Sequence, residues 1–296
     1  MASIEIIGEA EAGQGPGALR TFLGQFRKNR LGMLGAVLVM LIAAIAIFAP
    51  LIVTHDPIQI MVGPRLAAPS RNFLLGTDQL GRDTFSRVVM GGRIPLFIAF
   101  ASLGIALAVG VVLGLIAGFG PRWLDNLLLL IFDTIRSFPG IIFALAIIAL
   151  LGPSLASLIF VIAIASVPIY ARVVRAQTEA LRSSEYIAAE RSMGAGTTRI
   201  LAVHVLPNVI GPLLILVSMD VPAVIAWEAG LSFLGMGVRP PTPDWGVVLN
   251  DGYSYIDQTP WLVIAGGIPI VLSTLGFTFL GEALRDIFDP KLRKDL

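Results

Sequence analysis

Apolar positions along this chain neither alternate nor recur at helical spacing; they fill whole runs. Six stretches stand out: Leu31–Val53, Pro95–Phe119, Leu127–Leu151, Leu155–Ala171, Pro212–Leu234 and Trp261–Leu284. A bilayer core of about 30 Å is crossed by about 20 apolar residues in a helix, so the pattern predicts an all-α protein with six membrane-spanning helices. The third run is interrupted by Asp133, Arg136 and Pro139 in DTIRSFPG. The fourth is short and follows after only Gly152-Pro153-Ser154, which predicts a tight helical hairpin. The first run is too long for a signal-peptide core and no small-residue cleavage site follows it. It is expected to remain as the first span.

Three polar intervals break the pattern differently. After the first span, Thr84 to Met90 predicts a short amphipathic helix, with Phe85, Val88 and Val89 on one face and Arg82, Ser86 and Arg87 on the other. It would anchor at the outer membrane surface and lead into the second span. The interval before the last span, GMGVRPPTPDWGVVLNDGYSYIDQTP, is turn-rich. Its Trp245, Tyr253 and Tyr255, with Trp261, suit the membrane–water interface, where ring and polar edge are both satisfied. The longest interval, Arg172 to Gly211, predicts a helical continuation of the fourth span and then a short amphipathic helix over Val173–Met193. Gly194-Ala195-Gly196 ends it, since glycine takes the left-handed cap conformation without steric cost. Thr197 or Thr198 is expected to N-cap the next helix, and Pro207 and Pro212 to restart the chain into the fifth span.

Composition agrees with the runs. The 296 residues are 56% hydrophobic and 14% charged, with a mean hydropathy of +0.85, against about 25% charged in soluble domains. With both termini on the cytoplasmic side, inward segments hold fourteen of the 21 Lys and Arg residues, outward segments six, and Arg136 lies within a span. A net charge of +1 leaves no electrostatic footprint for nucleic acid. There is no cysteine, only two histidines, and no Gly-Lys pair from which a phosphate loop could be built. The chain is therefore not expected to be an enzyme: no catalytic residue, cofactor or metal site is predicted in it. Gly104, Gly110, Gly114 and Gly118 are read as close helix packing.

Charges inside spans are costly and usually serve a purpose. Asp133 and Arg136 lie three apart and are expected to pair with each other. Asp220 and Glu228 lie eight apart and share a face of the fifth span, directed at the bundle interior, a water-filled cavity or a partner subunit. Coupling to protons or sodium is the other reading of such carboxylates; no ladder of them extends over several spans.

The polar interval carries a family resemblance. In permease subunits of binding-protein-dependent ABC importers, the cytoplasmic signature is E-A-A, three residues, Gly, then Leu-Pro with the proline thirteen residues after the glycine. Gly194 and Leu206-Pro207 match it, while the triplet reads Ala188-Ala189-Glu190, so the leading acid is missing. Glu185 or Glu190 would substitute for it. GTDQLGRDTFSRVVMGGR, SFPGIIFALAI, LGPSL, RILAVHVLPN, EAGLSFLGMGVRPPTPDWG and LRDIFDPKLR resemble the dipeptide/oligopeptide branch, in particular its C-type subunit, from about Arg27 to Arg293.

The resemblance implies a type I ABC importer transmembrane domain. Residues 1–30 would be a cytoplasmic tail, 31–94 the first span and outer loop, 95–285 the core with a coupling segment at 172–211, and 286–296 a second cytoplasmic tail. Tyr186, Ala188, Ala189, Glu190, Gly194, Ala195, Arg199, His204, Leu206 and Pro207 would contact or shape the ATPase-coupling site. Two ATPase subunits, a paralogous permease, a periplasmic or extracellular solute-binding protein and the lipid bilayer would be the partners. The cargo would be di- or oligopeptides. Nickel–chelate, glutathione or opine-like cargo in the same machine is the nearest alternative, and a proton-coupled secondary transporter a more distant one.

Overall fold

The computed structural model describes residues 23–288, so most of the predicted N-terminal tail and the last eight residues lie outside the described part. Among the described residues there is no strand, only one isolated bridge between Thr77 and Asp83. The helices are α1 (Arg30–Ile47), α2 (Ala49–Ile52), α3 (Thr84–Gly91), α4 (Arg93–Phe119), α5 (Arg122–Ser137), α6 (Gly140–Leu151), α7 (Leu155–Arg182), α8 (Glu185–Ser192), α9 (Thr197–Ile200), α10 (Leu206–Phe233), α11 (Trp245–Tyr253) and α12 (Trp261–Phe288).

Five helical segments are long and apolar enough to span a bilayer: α1, α3 with α4, α7, α9 through α10, and α12. The third predicted span is not a straight helix. It is the pair α5 and α6, bent by 93° at Phe138 and Pro139. Proline at 139 holds Phe138 in an extended conformation (ψ 140°), so the α5 helix cannot continue through it.

Local sequence sets the helix starts. The Asn29 side chain accepts from the Gly32 N–H at 2.8 Å, Asp83 from Ser86 at 2.9 Å and Ser154 from Ser157 at 3.1 Å, each satisfying an N–H that the first turn leaves free. The predicted hairpin between α6 and α7 is present, with Gly152 in the left-handed region at φ 83°. The predicted Thr197 or Thr198 cap is not: Gly196 occupies the cap position and Thr197 already begins α9. The prolines do not restart the chain either. A π turn over Leu201–Val205 carries α9 directly into α10, with Pro207 in the first turn, where no N–H is required, and Pro212 inside the helix.

Packing is dominated by α4 on α7, α1 on α12, and α12 against α10 and α11. Gly114 shows why α4 and α7 approach so closely. A Cβ there would lie 2.5 Å from both the Ala171 carbonyl oxygen and the Val174 Cβ. Gly110 and Gly118 meet the same helix one turn to either side, whereas Gly104 faces open space and has no part in the contact.

Candidate functional site

The long polar interval forms a bracket at one end of the bundle. α7 ends at Arg182, a two-serine turn follows, and α8 runs almost free of the body. Ile187 is its only buried residue. It fastens the helix to the buried core, to which Ile200 and Val205 also belong. The opposite face carries Tyr186, Ala189 and Met193, at helical spacing and exposed, Tyr186 to 44% and Met193 to 75%. Ala188 is exposed as well. The result is a small, apolar knob that no other part of the described chain covers.

Gly194 ends α8 at φ 87°, in the left-handed region, with its N–H donating to the Arg191 carbonyl. Ala195 then donates to the Glu190 carbonyl. His204 sits in the π turn and braces the bracket: its Nε2 lies 3.4 Å from Glu190 Oε1 and its ring meets Tyr186 edge-on at 6.1 Å. A π turn at such a position is frequently functional, because it offsets the residues that follow. Asn208 donates to the His204 carbonyl at 2.6 Å. The Glu190 carboxylate therefore faces inward. Glu185 is the exposed acid, in the first turn of α8, where it complements the helix dipole. Arg199 and Pro207 are exposed and Leu206 is half-buried. Ile187 was not legible as an anchor beforehand; its one signal is that it is the only large aliphatic residue in EYIAAERS.

One of the expected intramembrane pairings is not present. Asp133 pairs with Arg172 of α7, not with Arg136. The Tyr170 hydroxyl donates to Asp220 at 2.6 Å. Glu228 is fully buried and accepts from the Ser232 hydroxyl at 2.7 Å. The bend between α5 and α6 opens a cavity of about 600 Å³ against α7 and α10. Arg136, Asp220, Phe138 and Trp227 line it, so a cation and an anion face one largely apolar space.

The other end of the bundle is held by charge. Arg87 is 2% exposed and lies 3.4 Å from Asp78 and 3.3 Å from Asp251 of α11. Arg82 joins the same two acids at 2.5 and 3.3 Å. The polar face of α3 thus points inward, and the helix is not a surface anchor with wet arginines. Trp245 likewise leaves the interface: it is 4% exposed, and its indole N–H donates to the Val88 carbonyl at 2.9 Å. Tyr253 and Trp261 are exposed as expected. Asp244 caps α11 and is buried, which pushes its carboxyl up to about 6, while the Gly246 and Val247 N–H groups pull it down. Burial also raises Asp251, against the pull of Arg87 and Arg82.

Five apolar spans, a sixth that is bent, and an uncovered polar bracket at one end define a multi-pass membrane protein. The comparisons agree. Residues 110–294 match the model of "binding-protein-dependent transport system inner membrane component", and residues 18–69 match the N-terminal transmembrane domain of oligopeptide transport permease C. The chain belongs to this family of inner-membrane, multi-pass permeases, in its C-type branch. It is 40% identical to the dipeptide transport system permease DppC of Alkalihalophilus pseudofirmus over 91% of this chain and 88% of that one. To the di/tripeptide permease DppC of Pseudomonas aeruginosa it is 39% identical, over 94% of both chains. It is 38% identical to the glutathione permease GsiD of Pectobacterium atrosepticum, over 93% and 91%. Its fold is similar to a chain of the inward-facing MetNI methionine ABC transporter, with a TM-score of 0.55, 19% identity, and coverage of 69% of this chain and 97% of that one.

Proposed function

We propose that this chain is the C-type permease subunit of an ATP-driven importer for di- or oligopeptides, and that α8 is its coupling helix. The observation that carries the reading is the exposed Tyr186–Ala189–Met193 face, held out by one buried isoleucine and ended by a left-handed glycine. Such a knob transmits force only if something outside the chain encloses it. Two ATPase subunits supply that enclosure and carry out the ATP hydrolysis. A paralogous permease completes the path, and a solute-binding protein delivers cargo at the clamped outer face, with both termini cytoplasmic. In this scheme the core at 95–285 carries the path, and the segment at 172–211 passes the ATPase motion to α7 and α10.

The cavity beside the α5–α6 bend is the proposed portion of the path. Arg136 and Asp220 offer one cation and one anion across an apolar space, which suits a zwitterionic peptide. The names of the similar permeases support peptide cargo, with glutathione, itself a peptide, as the nearest variant. The test is uptake of labelled dipeptide into proteoliposomes holding the assembled importer. Uptake should require internal ATP and survive a protonophore. Uptake that ignores ATP and stops with the protonophore would establish the secondary-transporter reading instead.

A further inference from the structure

A second site lies where α4, α5, α7 and α8 meet. A pocket of about 430 Å³ opens between the α4–α5 turn and the ends of α7 and α8. Four arginines line it, Arg122, Arg175, Arg182 and Arg191, with only two acids, Asp125 and Glu179. Both acids are already engaged by one arginine. Arg175 holds both oxygens of Asp125, at 2.5 and 2.7 Å, and reaches Glu179 at 3.4 Å.

The other three cations have no carboxylate partner among the described residues. Arg182 reaches only the Gly118 and Gly120 carbonyls, at 3.5 and 3.4 Å. Its guanidinium and that of Arg191 lie over the Phe119 ring, 5.6 and 4.8 Å from the centroid. Arg122 opens the first turn of α5, where free backbone N–H groups add to the positive field. Three guanidiniums on one concave surface match a phosphate, whose oxygens accept paired N–H bonds from such planar forks.

The position selects the source of that phosphate. The pocket sits at the ends of two membrane-spanning helices, which is the headgroup level of a bilayer, and Trp123 beside it is 67% exposed, as an interfacial indole is. From the pocket, Phe119, Ile116, Val112, Val109 and Ile105 fall on one stripe of α4, and the last four are exposed. Head and tail of one lipid thus meet adjoining surfaces of matching chemistry. We infer that Arg122, Arg182 and Arg191 form a binding site for the phosphodiester of an anionic phospholipid, whose acyl chain follows the exposed stripe of α4. This rests on the membrane placement of α4 and α7 and not on the ATPase reading. Because Arg191 belongs to α8, a bound headgroup ties that helix to the bilayer surface.

The test is native mass spectrometry of the full chain in neutral detergent, titrated with phosphatidylglycerol or phosphatidylcholine. The chain should retain phosphatidylglycerol at concentrations where phosphatidylcholine is lost. Each arginine near a charged surface changes such binding about fivefold. Arg122→Gln alone should therefore weaken retention about fivefold, and the triple variant with Arg182→Gln and Arg191→Gln on the order of 100-fold. Arg122→Gln touches no ion pair and keeps the test valid if the triple variant fails to fold. Arg71→Gln, exposed and outside the pocket, should change nothing. Equal retention by the single variant, the triple variant and the wild type overturns the proposal. So does displacement of the lipid by inorganic phosphate at equal concentration, which makes free phosphate the ligand. Loss of the lipid on assembly with the ATPases, with the arginine variants then shedding those subunits, also overturns it and assigns the pocket to an acidic partner side chain.

Discussion

Arg87→Met removes one buried cation from the charge clamp and leaves its acids in place. The site contains two arginines, Arg82 and Arg87, and two aspartates, Asp78 and Asp251, with Arg82, Arg87 and Asp78 almost fully buried. Breaking a buried pair by removing one partner costs about 3–5 kcal/mol, because an uncompensated charge stays behind. Arg82 still reaches both acids, so the lower end, about 3 kcal/mol, applies. Combining Arg87→Met with Asp251→Asn leaves the balanced Arg82–Asp78 pair, and about 1–3 kcal/mol should return through coupling of neighbours. The chain has no cysteine, so an introduced Val248→Cys, buried on α11, reports opening of that helix by maleimide labelling without background. Labelling should be fast in Arg87→Met and slow again in the double variant. If Arg87→Met changes labelling and thermal midpoint no more than a surface substitution, within about 0.5 kcal/mol, the clamp does not hold that end of the bundle. If the double variant is worse than the single, the charge-balance argument fails.

Gly114→Val should lower the yield of folded protein by overpacking α4 against α7, where its Cβ would meet the Ala171 oxygen and Val174 Cβ at 2.5 Å. The expected destabilisation is about 1–3 kcal/mol, checked by thermal unfolding in detergent, while Gly104→Ala, with nothing near it, should be neutral. Gly194→Val places a β-branched residue at φ 87° at a cost of about 1–2 kcal/mol; open space around it keeps the cost local. Membrane insertion should be unchanged and ATP-dependent uptake lost, measured on the same vesicles. Asp244 binds its proton more tightly folded, at about 6, than its ordinary 3.8. Stability of that end of the bundle should therefore fall as pH rises from about 4 to 6. Asp244→Asn should flatten this profile in unfolding midpoints taken across that range.

The spans were legible because lipid permits few backbone solutions, and an apolar run of bilayer length has little else to be. The bend at Pro139 was half legible: the proline marked where a helix must break, but not the 93° angle between α5 and α6. Charged residues misled most. Asp133 has Arg136 three residues away, yet it pairs with Arg172, because α7 brings a guanidinium to it from another helix. Arg82 and Arg87 read as a wet face because single-sequence periodicity cannot show acids arriving from residue 251. Trp245 suited an interface by type and is instead buried against the Val88 carbonyl. In the coupling segment, Gly194 was legible because a backbone requirement leaves a residue-type signature. Ile187 was not, since anchoring by one side chain leaves none.

The central claim is that the exposed face of α8 is enclosed by an ATPase, and a cross-link from Ala189 tests it most directly. Ala189 is exposed in the middle of that face, and the chain has no competing cysteine. Ala189→Cys, carrying a photoactivatable thiol reagent in membranes that contain the whole importer, should give one adduct with an ATPase chain. Nucleotide should change its yield, while a label at Asn250→Cys, exposed on α11 at the other end of the bundle, should give no such adduct. Absence of any ATPase adduct from Ala189, in membranes that still take up peptide with ATP, would contradict the account.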